Sequence, residues 1–510
     1  MASSYYERLS ALDNSFLLLE RPNAYMHVAS TQVYDAGPLA LKGGGIQADA
    51  IKKLTAALLF RIPRYRQKLE WIPFQQRAVW RDDEKFNLDY HIRHTALPRP
   101  GTEAQLKRLS ARIMQQHLDR NRPLWEMWIV EGLEGNRFAI ISKAHHCMID
   151  GVSGVDLMNI LMSPKPEQPI PEEPDYVPRE APNGSQLLRD ELLRRLSLPI
   201  EVAKDANRFI QEAEDVRQEM LVRIRALAET LGGSLRRVST TPFNHPIGPH
   251  RRFDWLTMDL AELKAMRRVL GGSLNDLVLA TVTGAVRRFL IHRRVDPSII
   301  HFRAMTPVSV RSETESGKLG NRVSAWLAEL PVEEPNPQKR LQIIRKRTQE
   351  LKKSKSAVAA NLLTRVADWS SSTILALGAR NVTRLLPFNM VVTNVPGPQL
   401  PLYTLGARML EVFPHVPLVD NLGLGVALMS YDGKLCWGFN ADYDLVPDLD
   451  HFVTNIVESF EELRELTVPL EAGESKEIAP PGTHTEADGG ADPSRARWKA
   501  VVAEARRDRV

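Results

Sequence analysis

The chain is poor in cysteine. Cys147 and Cys436 are the only two in 510 residues. They supply no disulfide framework and no CxxC metal pattern, which points to a reducing compartment. An apolar run of membrane-spanning length is also missing. The longest uncharged stretch, residues 386–407, is interrupted by Pro387, Asn394, Pro396, Gly397, Pro398 and Pro401. Residues 1–13 show no charged segment followed by an apolar one, so no secretory signal is expected. Neither sign of charge dominates. A net charge of +5 with a pI near 9.0 suits an anionic ligand or a membrane surface, but is too small to argue for nucleic acid. Several catalytic signatures are absent: Walker A, a complete GxGxxG, HExxH, and the GxSxG elbow, because Gly151-Val152-Ser153-Gly154 spaces its glycines wrongly. No repeat recurs at a fixed period.

What remains is ordinary globular composition, 43% hydrophobic and 25% charged. The length favours two or more domains, since single cores rarely grow beyond roughly 250–300 residues. Residues 5–161 read as mixed α/β, with helical periodicity at 51–59 and 103–117 and strands at 127–131 and 138–143. A linker rich in Pro and Glu follows at 163–185. Residues 186–231 read as two amphipathic helices broken at Pro199, and a second linker spans 240–250. A second α/β unit runs over 252–470. Ser273 caps a helix there with Asp276 in the capping-acid position. Strands are expected at 302–310, 323–330, 390–394 and 422–430, and Asp432-Gly433 marks a hairpin turn. The polar segment 471–493 reads as disordered, and 495–510 as a short basic helix. The expected division is therefore 1–165, 166–250, 251–470 and 471–510.

The chemistry concentrates in His145-His146-Cys147-Met148-Ile149-Asp150-Gly151, between an apolar strand and a helix. Imidazole is the side chain best suited to move a proton near neutral pH. A hydroxyl is a poor nucleophile until a base takes its proton, and one histidine can do this and then return the proton to a departing thiolate. That service is worth roughly 10²–10⁴ in rate. Asp150 need do no chemistry; paired with a distant arginine, it would lock the loop. Three other readings remain. The histidines could be satisfied structural residues. They could be metal ligands with Asp150, although neighbours on an extended loop point apart. Cys147 could be a nucleophile, although free cysteine is more often a small buried hydrophobe.

HHxxxDG in this setting resembles the active-site motif of the CoA-dependent acyltransferases. The likeness extends to Pro123-Leu124-Trp125-Glu126, Gly272-Ser273-Leu274-Asn275-Asp276, Pro307-Val308-Ser309-Val310-Arg311, Gly320-Asn321 and Thr393-Asn394-Val395-Pro396-Gly397-Pro398. In this order they resemble the bacterial bifunctional wax ester synthase/acyl-CoA:diacylglycerol acyltransferase family, over about residues 5–468. The resemblance implies an α/β fold of two chloramphenicol-acetyltransferase-like domains with a central active-site tunnel, joined by a helical linker. It implies an O-acyltransferase moving a long-chain acyl group from acyl-CoA, a substrate and not a cofactor, to diacylglycerol or a fatty alcohol. No cofactor, metal or nucleic acid is expected. Carried over by position, His146 is the general base beside His145, while Asp150 and Gly151 shape its loop. Asn275 and Asp276, and also Thr393 and Asn394, complete the second-domain side. Arg311 is the candidate partner of Asp150. Cys147 departs from the family pattern, where a small residue such as alanine is more usual. Substrates of this kind imply a cytoplasmic protein peripherally attached to the inner membrane or to lipid inclusions. The alternatives are another hydroxyl acceptor, or a non-catalytic lipid-surface protein on the same fold.

Overall fold

A computed structural model describes residues 5–75, 77–148, 151–194, 238–309, 323–353 and 388–467. The first half opens with β1 (Glu7–Arg8), α1 (Ala11–Leu19) and β2 (His27–Asp35), followed by α2 (Ala48–Leu58), β3 (Gln67–Trp71) and β4 (Ala78–Asp82). Next come α3 (Leu88–His91), β5 (Ile92–Ala96), α4 (Glu103–Met114), β6 (Trp125–Leu133), β7 (Arg137–His145) and α5 (Gly151–Leu161). Residues 184–194 are helical; most of the two helices expected over 186–231 lies outside the described residues. So do the segments expected as a disordered tail and a terminal basic helix.

The second half contains β8 (Arg251–Asp259), α6 (Leu260–Leu270), α7 (Leu274–His292), β9 (Phe302–Ser309), β10 (Val323–Leu330) and α8 (Pro337–Lys353). It continues through β11 (Met390–Pro396), β12 (Tyr403–Thr404), β13 (Ala407–His415), β14 (Leu424–Tyr431), β15 (Lys434–Asp442) and α9 (Leu449–Glu465). Local chemistry accounts for several of these elements. Thr102 and Gln105 form a reciprocal capping box on α4, and Ser273 and Asp276 form another on α7. Asp432 and Gly433 both take positive φ, 43° and 78°, which gives the β14–β15 turn the twist that a two-residue hairpin needs.

The described strands form two six-stranded mixed sheets and one small three-stranded sheet. The first large sheet runs β12-β13-β2-β7-β6-β5 and the second runs β10-β9-β11-β14-β15-β8. Residues 251–470, expected as one unit, therefore serve both sheets: β12 and β13 cross over and pair with β2 of the first half. The crossing is close. A Cβ at Gly438 of β15 would collide with the Pro414 carbonyl at the end of β13, so glycine is needed there. The second half buries its own apolar core around α7, with Phe289, Trp437, Phe439 and Phe452 fully enclosed. On one face of the first sheet, α4 and strand β8 cover Val33, Ile141 and Phe413. Its other face turns toward the second sheet, and the functional cavity opens there.

Candidate active site

The His-His motif sits where β7 stops. The β7 backbone ends with His145 N–H donating to the Leu124 carbonyl at 2.9 Å, and His146 N–H donates to the Met26 carbonyl at 2.7 Å. A turn over 146–148 follows, closed by Met148 N–H to the His145 carbonyl at 2.9 Å. Neighbouring residues on extended backbone point to opposite faces, so the two imidazoles part company. His145 is buried, 1% exposed, and its Nε2 lies 3.1 Å from Glu20 Oε1. Its Nδ1 accepts the Cys147 backbone N–H at 3.1 Å, which places the ring proton on Nε2, toward Glu20. His146 instead stacks on Phe16, ring centroids 4.1 Å apart and 19° from parallel, and forms part of the cavity wall.

Glu20 anchors this corner. Besides His145, its carboxylate accepts the Met26 backbone N–H at 3.0 Å and the Arg120 guanidinium at 2.6 Å, with His27 Nε2 at 3.7 Å. Burial alone would raise this carboxyl, but His145, His27 and Arg120 outweigh it and hold Glu20 well below the usual carboxylate range. His27 is driven the other way: burial, with Lys143 adding to it, keeps its imidazole neutral. Nothing in the linear sequence marks Glu20; it lies 125 positions before His145, and only the fold joins them.

The cavity beside His146 measures about 560 Å³ and lies between the two sheets. The first half contributes Phe16, Trp125 and Met158 to its walls, and the second contributes Met305, Val391 and Met429. The lining is mainly apolar, as suits a lipid chain. Thr393 and Asn394 of β11 reach this wall. Asn275 and Asp276 do not. Asp276 is spent on its own helix: Oδ2 accepts the Ser273 N–H at 2.7 Å, and Oδ1 accepts the Thr348 hydroxyl at 2.7 Å. The second-half contribution comes from β9, β11, β12 and β14, from the end of β13 and from the segment after it, and not from the start of α7. Trp125 is both a packing corner, its ring N–H on the Tyr65 carbonyl at 2.8 Å, and a wall residue. Arg251 is buried, with its guanidinium 3.5 Å from Asp442. Gly151 opens α5, whereas Asp150 and Arg311 lie outside the described residues.

Cys147 does not join the imidazole. It is 4% exposed among core residues, and burial pushes its thiol well above the ordinary range, which is the wrong direction for a thiolate nucleophile.

Comparison with known proteins agrees with this arrangement. Residues 9–278 match the wax ester synthase/diacylglycerol acyltransferase catalytic domain, and residues 319–464 match the C-terminal domain of the same family. The chain belongs to the wax ester synthase/diacylglycerol acyltransferase family. It is accordingly an O-acyltransferase that uses acyl-CoA. A Mycobacterium tuberculosis protein named as a probable diacylglycerol O-acyltransferase, tgs1, is 31% identical over 458 residues, covering 88% of this chain and 94% of the relative. The O-acyltransferase WSD of Acinetobacter baylyi is 29% identical over 470 residues, covering 89% and 96%. Among solved structures, the wax ester synthase/diacylglycerol acyltransferase of Marinobacter aquaeolei VT8 matches with a TM-score of 0.63 at 24% identity, covering 90% of this chain and 99% of that one. The first condensation domain of the calcium-dependent antibiotic synthetase shares the fold, with a TM-score of 0.58 at 13% identity over 92% of this chain and 98% of that one. The two-domain α/β architecture of this acyltransferase family is thereby established.

Proposed function

We propose that this acyltransferase moves a long-chain acyl group directly from acyl-CoA to the hydroxyl of diacylglycerol or of a long-chain alcohol, with His146 as general base. One observation carries the reading: of the two imidazoles, His146 faces the apolar cavity shared by both halves, while His145 is turned away and held by Glu20. In the first step His146 takes the hydroxyl proton as the oxygen attacks the thioester carbonyl, forming a tetrahedral oxyanion. Collapse of that intermediate re-forms the carbonyl and breaks the C–S bond. The proton then passes from the imidazolium to the departing CoA thiolate, leaving His146 neutral for the next cycle. No covalent enzyme intermediate and no cofactor takes part. Asn394 and Thr393 supply polar groups on the facing wall.

Purified protein incubated with labelled palmitoyl-CoA and either diolein or hexadecanol should yield labelled triacylglycerol or wax ester. Absence of labelled neutral lipid from folded protein would overturn the reading. Because these acceptors are water-insoluble, we also propose reversible attachment to the cytoplasmic membrane face or to lipid inclusions. Among the described residues no single helix is long and apolar enough to cross a membrane. High-salt and carbonate washes should release the protein; extraction by detergent alone would refute peripheral attachment.

A further inference from the structure

One stretch of the cavity wall is out of character with the rest. Strand β2 lies between β13 and β7, and its alternate residues Val28, Ser30, Gln32 and Tyr34 face the cavity. The intervening Thr31 and Val33 face α4, where Thr31 donates to Ser110 at 3.0 Å. An interior strand over an apolar cavity should be apolar on that side. Here three successive cavity-facing positions are polar and joined in a row. The Tyr34 hydroxyl donates to Gln32 Oε1 at 2.7 Å, and Gln32 Nε2 donates to Ser30 Oγ at 3.2 Å. Gln32 is 6% exposed and Tyr34 fully buried.

The proton inventory gives the row a direction. Oε1 of Gln32 and Oγ of Ser30 are both used as acceptors within it. A primary amide has two N–H groups and a serine one O–H, so one Gln32 N–H and the Ser30 O–H remain to be donated. What the row offers the cavity is therefore two hydrogen-bond donors, beside one remaining lone pair on Ser30 Oγ. Their natural complement is a group that only accepts, such as an ester carbonyl. A glycerolipid with one free hydroxyl carries two esters close to that hydroxyl; a long-chain alcohol carries none.

The position fits. His146 N–H binds the carbonyl of Met26, which immediately precedes β2, and Ser30 lies four residues further along the chain, about 13 Å between backbone positions at the usual rise. The two side chains and a hydrogen bond of about 3 Å at each end take up part of that backbone separation, and a hydroxyl and an ester carbonyl of one glycerol take up the remainder.

We propose that Ser30 and Gln32, oriented by Tyr34, form an ester-recognition row that selects glycerol esters over ester-free alcohols as acceptors. The inference rests on the acyl transfer proposed above and adds to it the residues that choose the acceptor. A site built to hydrogen-bond a substrate group discriminates against an analogue lacking it, because its own polar groups are then left unpaired.

The test compares three acceptors with labelled palmitoyl-CoA and full-length protein in mixed micelles: dioleoylglycerol, the matching dialkyl ether glycerol, and hexadecanol. Wild-type protein should favour the ester over the ether at least about tenfold in kcat/KM, the worth of one good hydrogen bond. Gln32→Leu should lower the dioleoylglycerol-to-hexadecanol ratio of kcat/KM about tenfold, mainly through the KM for dioleoylglycerol, and should erase the ester–ether difference. Turnover of hexadecanol reports that the variant is folded. Should Gln32→Leu fail to fold, Ser30→Ala, at a partly exposed position, should shift the same ratio in the same direction. Equal use of ester and ether by wild-type protein would overturn the proposal. So would an unchanged ratio in the variants, or a loss confined to the KM for palmitoyl-CoA, which would assign the row to the pantetheine arm. No transfer to any acceptor would bring down the parent reading as well, and so is distinguishable from these.

Discussion

Two buried carboxylates, Glu20 and Asp276, mark the two halves, and they do different work. Asp276 bonds within its own neighbourhood: it closes the capping box of α7 and takes one hydroxyl from Thr348 on α8. Glu20 reaches across the first half, holding the backbone of Met26, the Arg120 side chain and the imidazole of His145 at once. The first arrangement is a helix start that any capped helix shows. The second fixes where a reactive loop begins, because His145 and His146 leave β7 together and the grip on one orients the other. A carboxylate beside a motif therefore says little about chemistry until the range of its bonds is known.

The sharpest test removes the imidazole that faces the cavity and leaves the one that Glu20 holds. His146→Ala should lower kcat by roughly 10²–10⁴, the usual worth of a general base, with little change in melting temperature or acyl-CoA binding. Retention of more than a few per cent of the wild-type rate would remove His146 from that role. Next in size is the comparison of the carboxylates themselves. Glu20→Ala leaves the Met26 N–H and the His145 ring without their buried acceptor, while the half-exposed Arg120 can turn to water; it should cost about 2–4 kcal/mol in urea unfolding, from about 1–3 kcal/mol for each buried donor left unpaired. Asp276→Ala loses one side of the capping box while Ser273 stays as the N-cap, and should cost about 1 kcal/mol, with transfer activity largely retained. Similar losses from the two changes would erase the distinction drawn between them.

Much of the second half was legible because its signals are local. Ser273 and Asp276 read as a cap, Asp432-Gly433 read as a hairpin, and both appear. At Asn275 and Asp276 the likeness to a family motif suggested a place on the site, and the structure shows the cap that the local sequence also suggests, with neither residue on the cavity wall. In the first half the apolar strand and the His-His turn were plain, since β7 alternates little and ends abruptly. Strand β2 was not. His27, Ser30 and Gln32 interrupt its apolar pattern, and they are tolerated because their partners, Glu20 and each other, arrive from elsewhere in the fold. The crossing of β12 and β13 into the first sheet was equally hidden, because strand pairing across hundreds of residues leaves no local trace.

The first sheet and the short helix α3 beside it hold buried histidines, and these tie stability to pH. Burial lowers His91 to about 4 and His415 to about 3, and lowers His27 as well. In the unfolded chain each takes up a proton near pH 6.5, whereas the folded state refuses it until the lower value is reached. Stability should thus fall as pH drops below 6.5, by about 1.4 kcal/mol per pH unit for each histidine. Glu20 adds to the loss below the ordinary carboxylate range, since its depressed folded value makes its contribution present above that range and lost beneath it. The check is urea unfolding at several pH values between 4 and 7, with His415→Leu as control. The variant should flatten the dependence by one histidine's share below pH 6.5, whatever it does to absolute stability. An unchanged slope would show that His415 is protonated in the folded protein.

The smallest effect is expected at Cys147, one residue beyond the proposed base. Its place in the sequence invites a covalent mechanism, and its surroundings argue against one. The side chain lies in the apolar cluster under the loop, and burial raises the thiol where a nucleophile needs it lowered. What Cys147 gives the site is its backbone, whose N–H donates to His145 Nδ1 and so directs that ring's proton toward Glu20. Alanine keeps this N–H. Cys147→Ala should therefore transfer acyl groups at close to the wild-type rate. Wild-type protein quenched during turnover should carry no acyl group by mass spectrometry. A stoichiometric adduct on Cys147, removed by the substitution along with activity, would replace direct transfer with a thioester relay and move the site's centre from the imidazole to the thiol.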